Sequence, residues 1–527
     1  MSSDVRVTTP RPHPPARRAF LAAGVRFTSL LNPGPVDDSA VVADQTLIDL
    51  HLDDLIAAAA PGTFQRQVWK HPLTDPDAVA YRQAVLADLG DPQLRRAAEA
   101  FCVAVAAARR TINAAHESHY RRPAELSVLE GVVQFAAAAT ALARAVTVAL
   151  PTSLGLRRLS DQLAAFLADD GYCCLVSDCD QLLAEVRAPA VELGLQSGTV
   201  WVAADSGRPA WTEQVRAFFA RFANADNPGE PVPPRVHRYL NHVEARAVDL
   251  VAELHPETFA RVHDCAAANS QFLPAAVERL AEELRFYLGF LALVDRTRAG
   301  GVAWSRPRIV GLHDDIRIDG FIDPVLALRT VGDGRPVAND LILSDTQRIA
   351  FITGPNQGGK TTLARAIGHG AHLAALGLLV PASTARLPLL NPVLTHFPQP
   401  DDPEHQHGGL AEEVVRLHEI VEQAGPGSLL ILNELFSTTS AEDAVELAGL
   451  VVPEFLARGC RVIWVTFLEE LVASVRGAAS LVGQVAADDP TRPTFQFHAQ
   501  PPTGRSYATA LAARHALSRA DLSRRLA

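Results

Sequence analysis

The sequence predicts a mainly helical amino-terminal region followed by an α/β domain of the phosphate-loop (P-loop) type. Up to about residue 300, apolar residues recur at three- and four-residue spacing, which is typical of packed helices. From about residue 305, short apolar runs alternate with helical stretches, which favours a sheet layered with helices. We therefore expect a flexible tail and lead-in over 1–39, a helical core over 40–304 and the α/β domain over 305–527.

The composition bounds the size and class of the protein. A chain of 527 residues, 48% of them hydrophobic, is long enough for about two to four domains with their own cores. The net charge of −11 argues against a uniformly basic coat for nucleic acid. A local basic channel remains compatible with it, because net charge does not say where the charges lie.

The cysteines and the apolar segments indicate a cytoplasmic protein. The six cysteines include no C-x-x-C pair, which favours reduced thiols over a zinc site or a disulfide framework. The Pro- and Arg-rich stretch Pro10–Arg18 has no apolar core of signal-peptide length. The most apolar segment, Phe135–Leu150, is short and interrupted by Arg144, so we expect a buried helix and no membrane span.

One part of the helical region lacks the three- and four-residue apolar spacing. Val191–Ala204 alternates on both sides of Ser197-Gly198, which predicts a small hairpin. Ala223–Arg235 is rich in Pro, Gly and Asn and predicts a loop or linker. The helices predicted around these segments are Asp53–Ala60, Asp77–Leu89, Gln93–His116, Leu126–Leu150, Leu154–Ala168 and Pro274–Arg298.

The α/β region is predicted from two sets of segments. The apolar runs expected to form strands are Leu341–Leu343, Ile349–Ile352, Ser428–Leu432 and Arg461–Thr466. The helical stretches between and after them are Thr361–Leu376, Ala411–Ala424 and Ala441–Ala457.

A glycine-rich loop between a predicted strand and a predicted helix is the strongest candidate site. Gly354, Gly359, Lys360 and Thr361 fit the Walker A pattern G-x-x-x-x-G-K-[ST]. Such a loop turns backbone N–H groups toward phosphate oxygens, and the following helix presents its positive end to the same anion. We therefore expect ATP to bind the loop, with Lys360 at the β- and γ-phosphates and Thr361 on Mg²⁺; the alternative is an ordinary glycine turn. The expected nucleotide-binding residues are Gly354, Pro355, Asn356, Gln357, Gly358, Gly359, Lys360, Thr361 and Thr362.

A second motif about seventy residues downstream has the pattern of a Walker B strand. Ser428–Glu434 is a short apolar run ending in two polar residues. Strands of this kind usually end in Asp-Glu, where the Asp holds the Mg²⁺ shell and the Glu orients the attacking water. Here Asn433 takes the metal position and Glu434 the catalytic one; the alternative is a buried parallel strand with a polar end.

Further segments around these motifs match the sequence pattern of one protein family. The loop contains T-G-P-N, Thr353–Asn356, followed by G-G-K, Gly358–Lys360. Matching stretches are Pro336–Leu341, Val380–Ala382, the set Thr439, Ser440 and Asp443, and Thr494–Ala512 with Gly504, Ser506 and Tyr507. Together they resemble the ATPase domain of the MutS family of DNA mismatch-repair proteins, an ABC-like fold. More weakly, His71–Leu73, Asp75 and Arg82 resemble a motif of the MutS helical core, with the helix ending near Arg298 as the lever.

The sequence also departs from the family pattern. Too few residues precede residue 40 for the mismatch-reading and connector domains, and we expect neither, nor a nuclease domain after the ATPase. Asn433 stands where the family has Asp, and Phe467 where it has His. Pro336 falls near the position of an aromatic that stacks on adenine. In the signature loop, which serves the partner subunit's site in the family, the candidates are Gly408, Gly409 and Glu413, with Gly408 in place of Ser.

The resemblance implies an ATPase that binds DNA as a homodimer, without a membrane, in repair or recombination. Asn433 and Phe467 remove groups that handle Mg²⁺ and the γ-phosphate, so we expect slow hydrolysis with ATP controlling the grip on DNA. The alternative is a nucleotide-binding scaffold that hydrolyses little and acts through protein partners. An ATPase of the transporter or chromosome-structure type is disfavoured, because the sequence has no L-S-G-G-Q signature.

Overall fold

The computed structural model describes most of the chain and divides it into two compact units. Unit 1 comprises Met1–Thr28, Pro92–Pro151 and Arg157–Ala281, and unit 2 comprises Ser29–Asp91, Thr152–Leu156 and Glu282–Ala527. Residues 29–91 thus group with the α/β region, although many helical residues separate the two along the chain. The predicted domain boundaries at 39/40 and 304/305 stay predictions. The described residues are 24–34, 41–59, 62–118, 120–189, 191–196, 199–204, 242–330, 334–398, 409–436, 439–489, 491–501, 517 and 523.

In the first part of the chain, the described elements are helices apart from one hairpin. In chain order its elements are α1 Asp44–Asp49, α2 Leu52–Ala59, α3 Thr63–Lys70, α4 Pro76–Asp88, α5 Pro92–Glu117, α6 Arg121–Ala149, α7 Leu154–Leu167, α8 Asp170–Arg187, β1 Val191–Gln196, β2 Thr199–Ala204, α9 His242–Leu254, α10 Pro256–Ala268 and α11 Ala275–Ala299. The predicted helices in this region are confirmed to within a few residues at their ends; α1, α3, α8, α9 and α10 were not predicted.

Strands and helices alternate in the rest of the chain. The elements are β3 Arg308–Val310, β4 Ile316–Phe321, α12 Pro324–Arg329, β5 Asn339–Leu343, β6 Ile349–Thr353, α13 Lys360–Ala375, β7 Thr384–Pro388, β8 Val393–His396, α14 Gly409–Gln423, β9 Leu429–Asn433, α15 Ala441–Ala457, β10 Arg461–Val465, α16 Glu469–Ser474, β11 Ala479–Val485 and β12 Pro493–Ala499. The predicted α/β alternation is confirmed. The segment Thr494–Ala512 begins within β12, and its Gly504, Ser506 and Tyr507 lie outside the described residues.

Unit 1 has an aromatic core. The ring of Phe135 on α6 lies 6.2 Å from Phe101 and 6.5 Å from Phe272, measured between centroids. Phe166 and Tyr172 extend the cluster with centroids 4.5 Å apart. Among the described residues, α6 alone has the length and apolar composition of a membrane span, and 44% of its most apolar window is buried. One face of α6 packs in this core, whereas Val148 and Leu150 near its end are exposed, so the helix is amphipathic and only partly buried.

The predicted hairpin of unit 1 is confirmed by strand pairing. β1 and β2 are antiparallel, with Val191 opposite Ala204 and Gln196 opposite Thr199. The turn residues between them lie outside the described part, as do the predicted tail Pro10–Arg18 and the predicted loop Ala223–Arg235.

Unit 2 contains two sheets within its described residues. A six-stranded sheet has the order β12-β11-β6-β10-β9-β8, in which neighbours are parallel except for the antiparallel β12. A four-stranded sheet has the order β3-β7-β4-β5. β6, β9 and β10 are buried along their whole length, as expected of central parallel strands. Between them, Phe351 and Trp464 pack with ring centroids 5.6 Å apart.

A buried arginine joins three segments of unit 2. The guanidinium of Arg82 on α4 donates from Nε to the Leu31 carbonyl (2.8 Å), and from its two terminal nitrogens to the Leu376 carbonyl (3.2 Å) and to Asn32 Oδ1 (3.3 Å). Burial lowers its pKa to about 10, so it stays charged at neutral pH. Leu376 follows α13, and Gly377 comes next at φ 73°, with the Arg82 side chain where a Cβ would stand. Arg82 therefore caps the carboxyl end of α13.

The segment that Arg82 holds is also bound to α11. The carboxylate of Glu283 accepts hydrogen bonds from Ser29 Oγ at 3.0 Å and from the Leu30 N–H at 2.7 Å. The hydroxyl of Tyr287 donates to the Leu30 carbonyl at 2.6 Å. Side chains of α4 and α11 thus both hold the short stretch 29–32, and Arg82 links that stretch to the carboxyl end of α13.

We predict that Arg82→Met destabilises unit 2 by about 3 kcal/mol, because it leaves buried carbonyls without donors while keeping most of the side-chain volume. The measurement is urea unfolding followed by circular dichroism. Arg96→Met is the matched control, since Arg96 is exposed. Equal unfolding midpoints for the two variants would show that Arg82 has no such role.

Candidate functional site

The glycine-rich loop lies where β6 ends and α13 begins. Gly354 follows the last strand residue with φ 139°, and a Cβ there would meet the Cα of Gly483 on β11 at 3.0 Å. Gly359 precedes the helix with φ 88°. Both glycines are thus required by backbone conformation, and the first also by the approach of the neighbouring strand. The strand–loop–helix order is the one that the sequence predicted.

Lys360 folds back over this loop. Its side-chain Nζ donates to the carbonyls of Gly354 (3.2 Å) and Pro355 (3.1 Å), and to Asn356 Oδ1 (3.4 Å). The residue is 5% exposed. Burial lowers the pKa of Lys360, and the charge of Glu434 opposes that shift. All three hydrogen-bond acceptors are neutral, so the ammonium charge is available to an anion entering the loop.

Parallel pairing brings the second motif to the same edge. Val465 at the end of β10 pairs with Ile352 on β6 and with Asn433 on β9. The Glu434 N–H donates to the Val465 carbonyl at 2.8 Å, which continues the ladder past the end of β9. The hydroxyl of Thr361 donates to Asn433 Oδ1 at 3.0 Å. The two residues predicted to serve a metal are therefore in direct contact.

A cavity of about 760 Å³ opens over the loop. This volume is in the range of cofactor and ligand sites. Its polar side is formed by the loop from Asn356 to Thr362 and by Glu434. Gly354 and Pro355 do not line it, but their carbonyls hold Lys360. The other lining residues are Phe321, Ile322, Asp323, Leu326, Thr330, Gly334, Arg335, Pro336, Val337, Asn339, Leu363, Ala366, Phe467, Phe495 and Phe497.

The two positions that depart from the family pattern, Phe467 and Asn433, differ in their location at the site. Phe467 lines the cavity and is 49% exposed, so the position offers an apolar ring and no hydrogen bond. Asn433 lies behind the loop, against Thr361. The described residues contain no group of three or more His, Cys, Asp or Glu side chains that could hold a metal. A metal here would depend on the Thr361 hydroxyl, the Asn433 amide oxygen and oxygens of the nucleotide itself.

The predicted signature loop is only partly described. Gly408 lies outside the described residues, and Gly409 begins α14. Glu413 accepts a hydrogen bond from the Phe436 N–H at 3.0 Å, and burial raises the pKa of its carboxyl. Glu413 thus holds the backbone just after Glu434 within the same chain. Its expected service to a partner's site stays a prediction.

Sequence reasoning missed the apolar half of the cavity. Phe321 and Leu326 line it, and no motif singled them out. Phe495 and Phe497 also line it and belong to the selected segment Thr494–Ala512, but no role was assigned to them. Asn339 belongs to a segment that the sequence did select, although no role followed from it. Phe321 ends β4 and Asn339 begins β5, whereas Leu326, Phe495 and Phe497 lie inside short elements, where no local signal distinguishes them.

The fold and the site define an α/β domain of the ATPase type, with a glycine-rich loop at the carboxyl edge of a mostly parallel sheet. Residues 350–509 match the family of MutS domain V. This match and the relatives below confirm the resemblance to the MutS family seen in the sequence, over the part of the chain that they cover.

Individual relatives agree with this assignment. The DNA mismatch repair protein MutS of Thermotoga petrophila is 26% identical over 46% of this chain and 29% of its own length. Endonuclease MutS2 of Thermus thermophilus is 33% identical over 36% of this chain and 25% of its own. The DNA mismatch repair protein MutS of Solibacter usitatus is 32% identical over 39% and 23%. The matched region spans less than a third of each of these relatives.

Proposed function

We propose that the chain binds ATP with Mg²⁺ in the cavity over the glycine-rich loop, and that ATP binding and slow hydrolysis control its hold on DNA. The observation that carries the proposal is Lys360, a buried cation held by neutral oxygens at the mouth of a strand–loop–helix turn. A triphosphate supplies the negative charge that this lysine lacks as a hydrogen-bond partner.

Different parts of the cavity would bind the phosphates, the metal and the base of the nucleotide. The phosphates would lie against Asn356–Thr362, where the N-terminus of α13 and the Lys360 ammonium favour negative charge. Mg²⁺, when bound, neutralises charge that builds up on the β- and γ-phosphates. Thr361 and Asn433 are the residues placed to hold it. The base would lie on the apolar side, formed by Leu326, Val337 and Phe495.

Glu434 is the residue proposed to orient water for hydrolysis. It lines the cavity beside Lys360 and follows the buried strand β9. Its backbone is held at φ 53° between the Val465 carbonyl on one side and the Glu413–Phe436 contact on the other. Asn433 supplies no charge to the metal shell, and Phe467 supplies no hydrogen bond, so the proposed turnover is slow.

The proposal extends to partners by way of the relatives, whose names include DNA mismatch repair and endonuclease functions. We propose a cytoplasmic homodimer that binds DNA by structure rather than by sequence. Gly408, Gly409 and Glu413 would be the segment offered to the partner's site. The second candidate function is a nucleotide-binding scaffold that acts through protein partners, and Asn433 together with Phe467 favours it.

Lys360→Ala is expected to abolish ATP binding in isothermal titration calorimetry, because it removes the cation that faces the phosphates. Lys70→Ala is the matched control, since Lys70 is the chain's only other lysine and bonds to Asp44, away from the loop. Unchanged ATP affinity in Lys360→Ala would overturn the nucleotide proposal.

Asn433→Asp is expected to raise steady-state phosphate release about tenfold, the equivalent of roughly 1.4 kcal/mol, by restoring a carboxylate to the metal shell. Glu434→Ala is expected to lower release by about a hundredfold or more, because the water-orienting group is lost. If the wild type already turns over fast and Asn433→Asp changes nothing, the slow-hydrolysis proposal fails. If Glu434→Ala is fully active, the catalytic role belongs to another residue.

The DNA proposal is tested with a panel of homoduplex, mismatched, branched and single-stranded DNA, with and without ATP, by fluorescence anisotropy. We expect ATP-dependent binding to branched or single-stranded DNA and equal affinity for matched and mismatched duplexes. Lys360→Ala should bind DNA without any response to ATP. Absence of binding to every DNA, in the presence of normal ATP binding, would favour the scaffold. A strong preference for one mismatched duplex over its matched duplex would contradict the expected equal affinity.

A further inference from the structure

One asparagine joins the two sheets of unit 2 at the cavity. Asn339 begins β5, an edge strand of the four-stranded sheet, and β12 is an edge strand of the six-stranded sheet. The Asn339 side chain accepts a hydrogen bond on Oδ1 from the Phe497 N–H at 2.8 Å. Its Nδ2 donates to the Phe495 carbonyl at 3.1 Å and to the Val337 carbonyl at 3.4 Å. The amide therefore takes the place of a peptide group between two edge strands that belong to different sheets.

The backbone that this amide holds carries the apolar wall of the cavity. Val337, Asn339, Phe495 and Phe497 all line it. Phe495 has φ 60°, a conformation that a phenylalanine adopts only when its surroundings impose it. Its side chain is 47% exposed, and its Cδ1 lies 3.3 Å from the place that a Cβ on Gly359 would occupy. The ring thus stands beside the glycine-rich loop without being fixed by a surrounding core.

We propose that Asn339 is a positioning residue that sets the base-side wall of the nucleotide cavity, by holding Phe495 in its strained conformation next to Gly359. The inference rests on the proposed nucleotide function. It concerns the nucleoside alone, because the proposed phosphate-binding groups lie on the loop and on α13, whereas the Asn339 hydrogen bonds go to Val337, Phe495 and Phe497.

The chemistry of the side chain fits this role. A primary amide presents one acceptor and two donors, and Asn339 uses both kinds. An aspartate at this position would still accept from the Phe497 N–H, but its carboxylate would face the Phe495 carbonyl with no proton to share. Asn339→Asp is therefore a nearly isosteric change that removes two of the three hydrogen bonds, and Asn339→Ala removes all three.

The test compares two ligands by isothermal titration calorimetry in Mg²⁺: ATP, and inorganic tripolyphosphate, which has the phosphates without ribose or base. Asn339→Ala and Asn339→Asp are expected to weaken ATP binding about tenfold and to leave tripolyphosphate affinity unchanged. Lys360→Ala should lose both ligands. Asn113→Ala, an exposed asparagine on α5, is the matched control and should change neither.

A double variant tests whether Asn339 acts through Phe495. If it does, adding Asn339→Ala to Phe495→Ala costs no further ATP affinity, since the ring that Asn339 positions is already gone. Fully additive losses would overturn the assignment, as would equal weakening of ATP and tripolyphosphate or no weakening at all. If Asn339→Ala does not fold, judged by circular dichroism, Asn339→Ser keeps one donor and one acceptor and carries the same comparison. A wild type that binds neither ligand would instead refute the proposed nucleotide function.

Discussion

The parallel pairing of β6, β10 and β9 is the constraint on which the candidate site depends. Because Val465 pairs with both Ile352 and Asn433, three strands that are distant along the chain end at one edge. That edge gathers the glycine-rich loop, Glu434 and Phe467 around one cavity. A slip of one residue between β9 and β10 would turn each side chain of β9 to the opposite face and separate Asn433 from Thr361. The full burial of these strands on both faces opposes any such slip, since it would disturb packing along their whole length.

Helix α13 is held at both ends, and this connects the site to the rest of unit 2. Its amino end continues from the loop, while Arg82 caps its carboxyl end and the Leu73 N–H donates to the Ala375 carbonyl at 2.8 Å. Its middle is equally enclosed: His369 Nε2 lies 2.5 Å from the Leu50 carbonyl, and burial lowers the pKa of His372 to about 4. These contacts connect α13 to α4 and to the stretch 29–32, which Glu283 and Tyr287 bind to α11.

The parts of the structure that the sequence could predict are those encoded locally. Long helices with regular apolar spacing, the four strongest strands, the hairpin and the glycine-rich loop all depend on residues close together in the chain. The strands β3, β4, β7, β8, β11 and β12 were not predicted, and each is defined by its pairing with other segments. The contacts of Asn339 and Arg82 are of the same kind. Asn339 bonds to a backbone 158 residues away and Arg82 to one 294 residues away, and no local pattern encodes such pairs.

Asn433 and Phe467, the two positions that depart from the family pattern, leave the site with less negative charge and fewer polar groups than that pattern has. With asparagine at 433, Glu434 is the carboxylate that lines the cavity near Lys360, and the Thr361 hydroxyl rests on a neutral amide. An aspartate would place a second negative charge behind the loop, which favours Mg²⁺ but repels the phosphates that Mg²⁺ accompanies. The exposed ring of Phe467 adds apolar surface and no hydrogen-bonding group to the cavity. Under the proposed function, this arrangement favours holding a nucleotide over activating water. Binding would then depend on Lys360 and the loop backbone, and hydrolysis on Glu434 and the metal shell, so a substitution could change one property without the other.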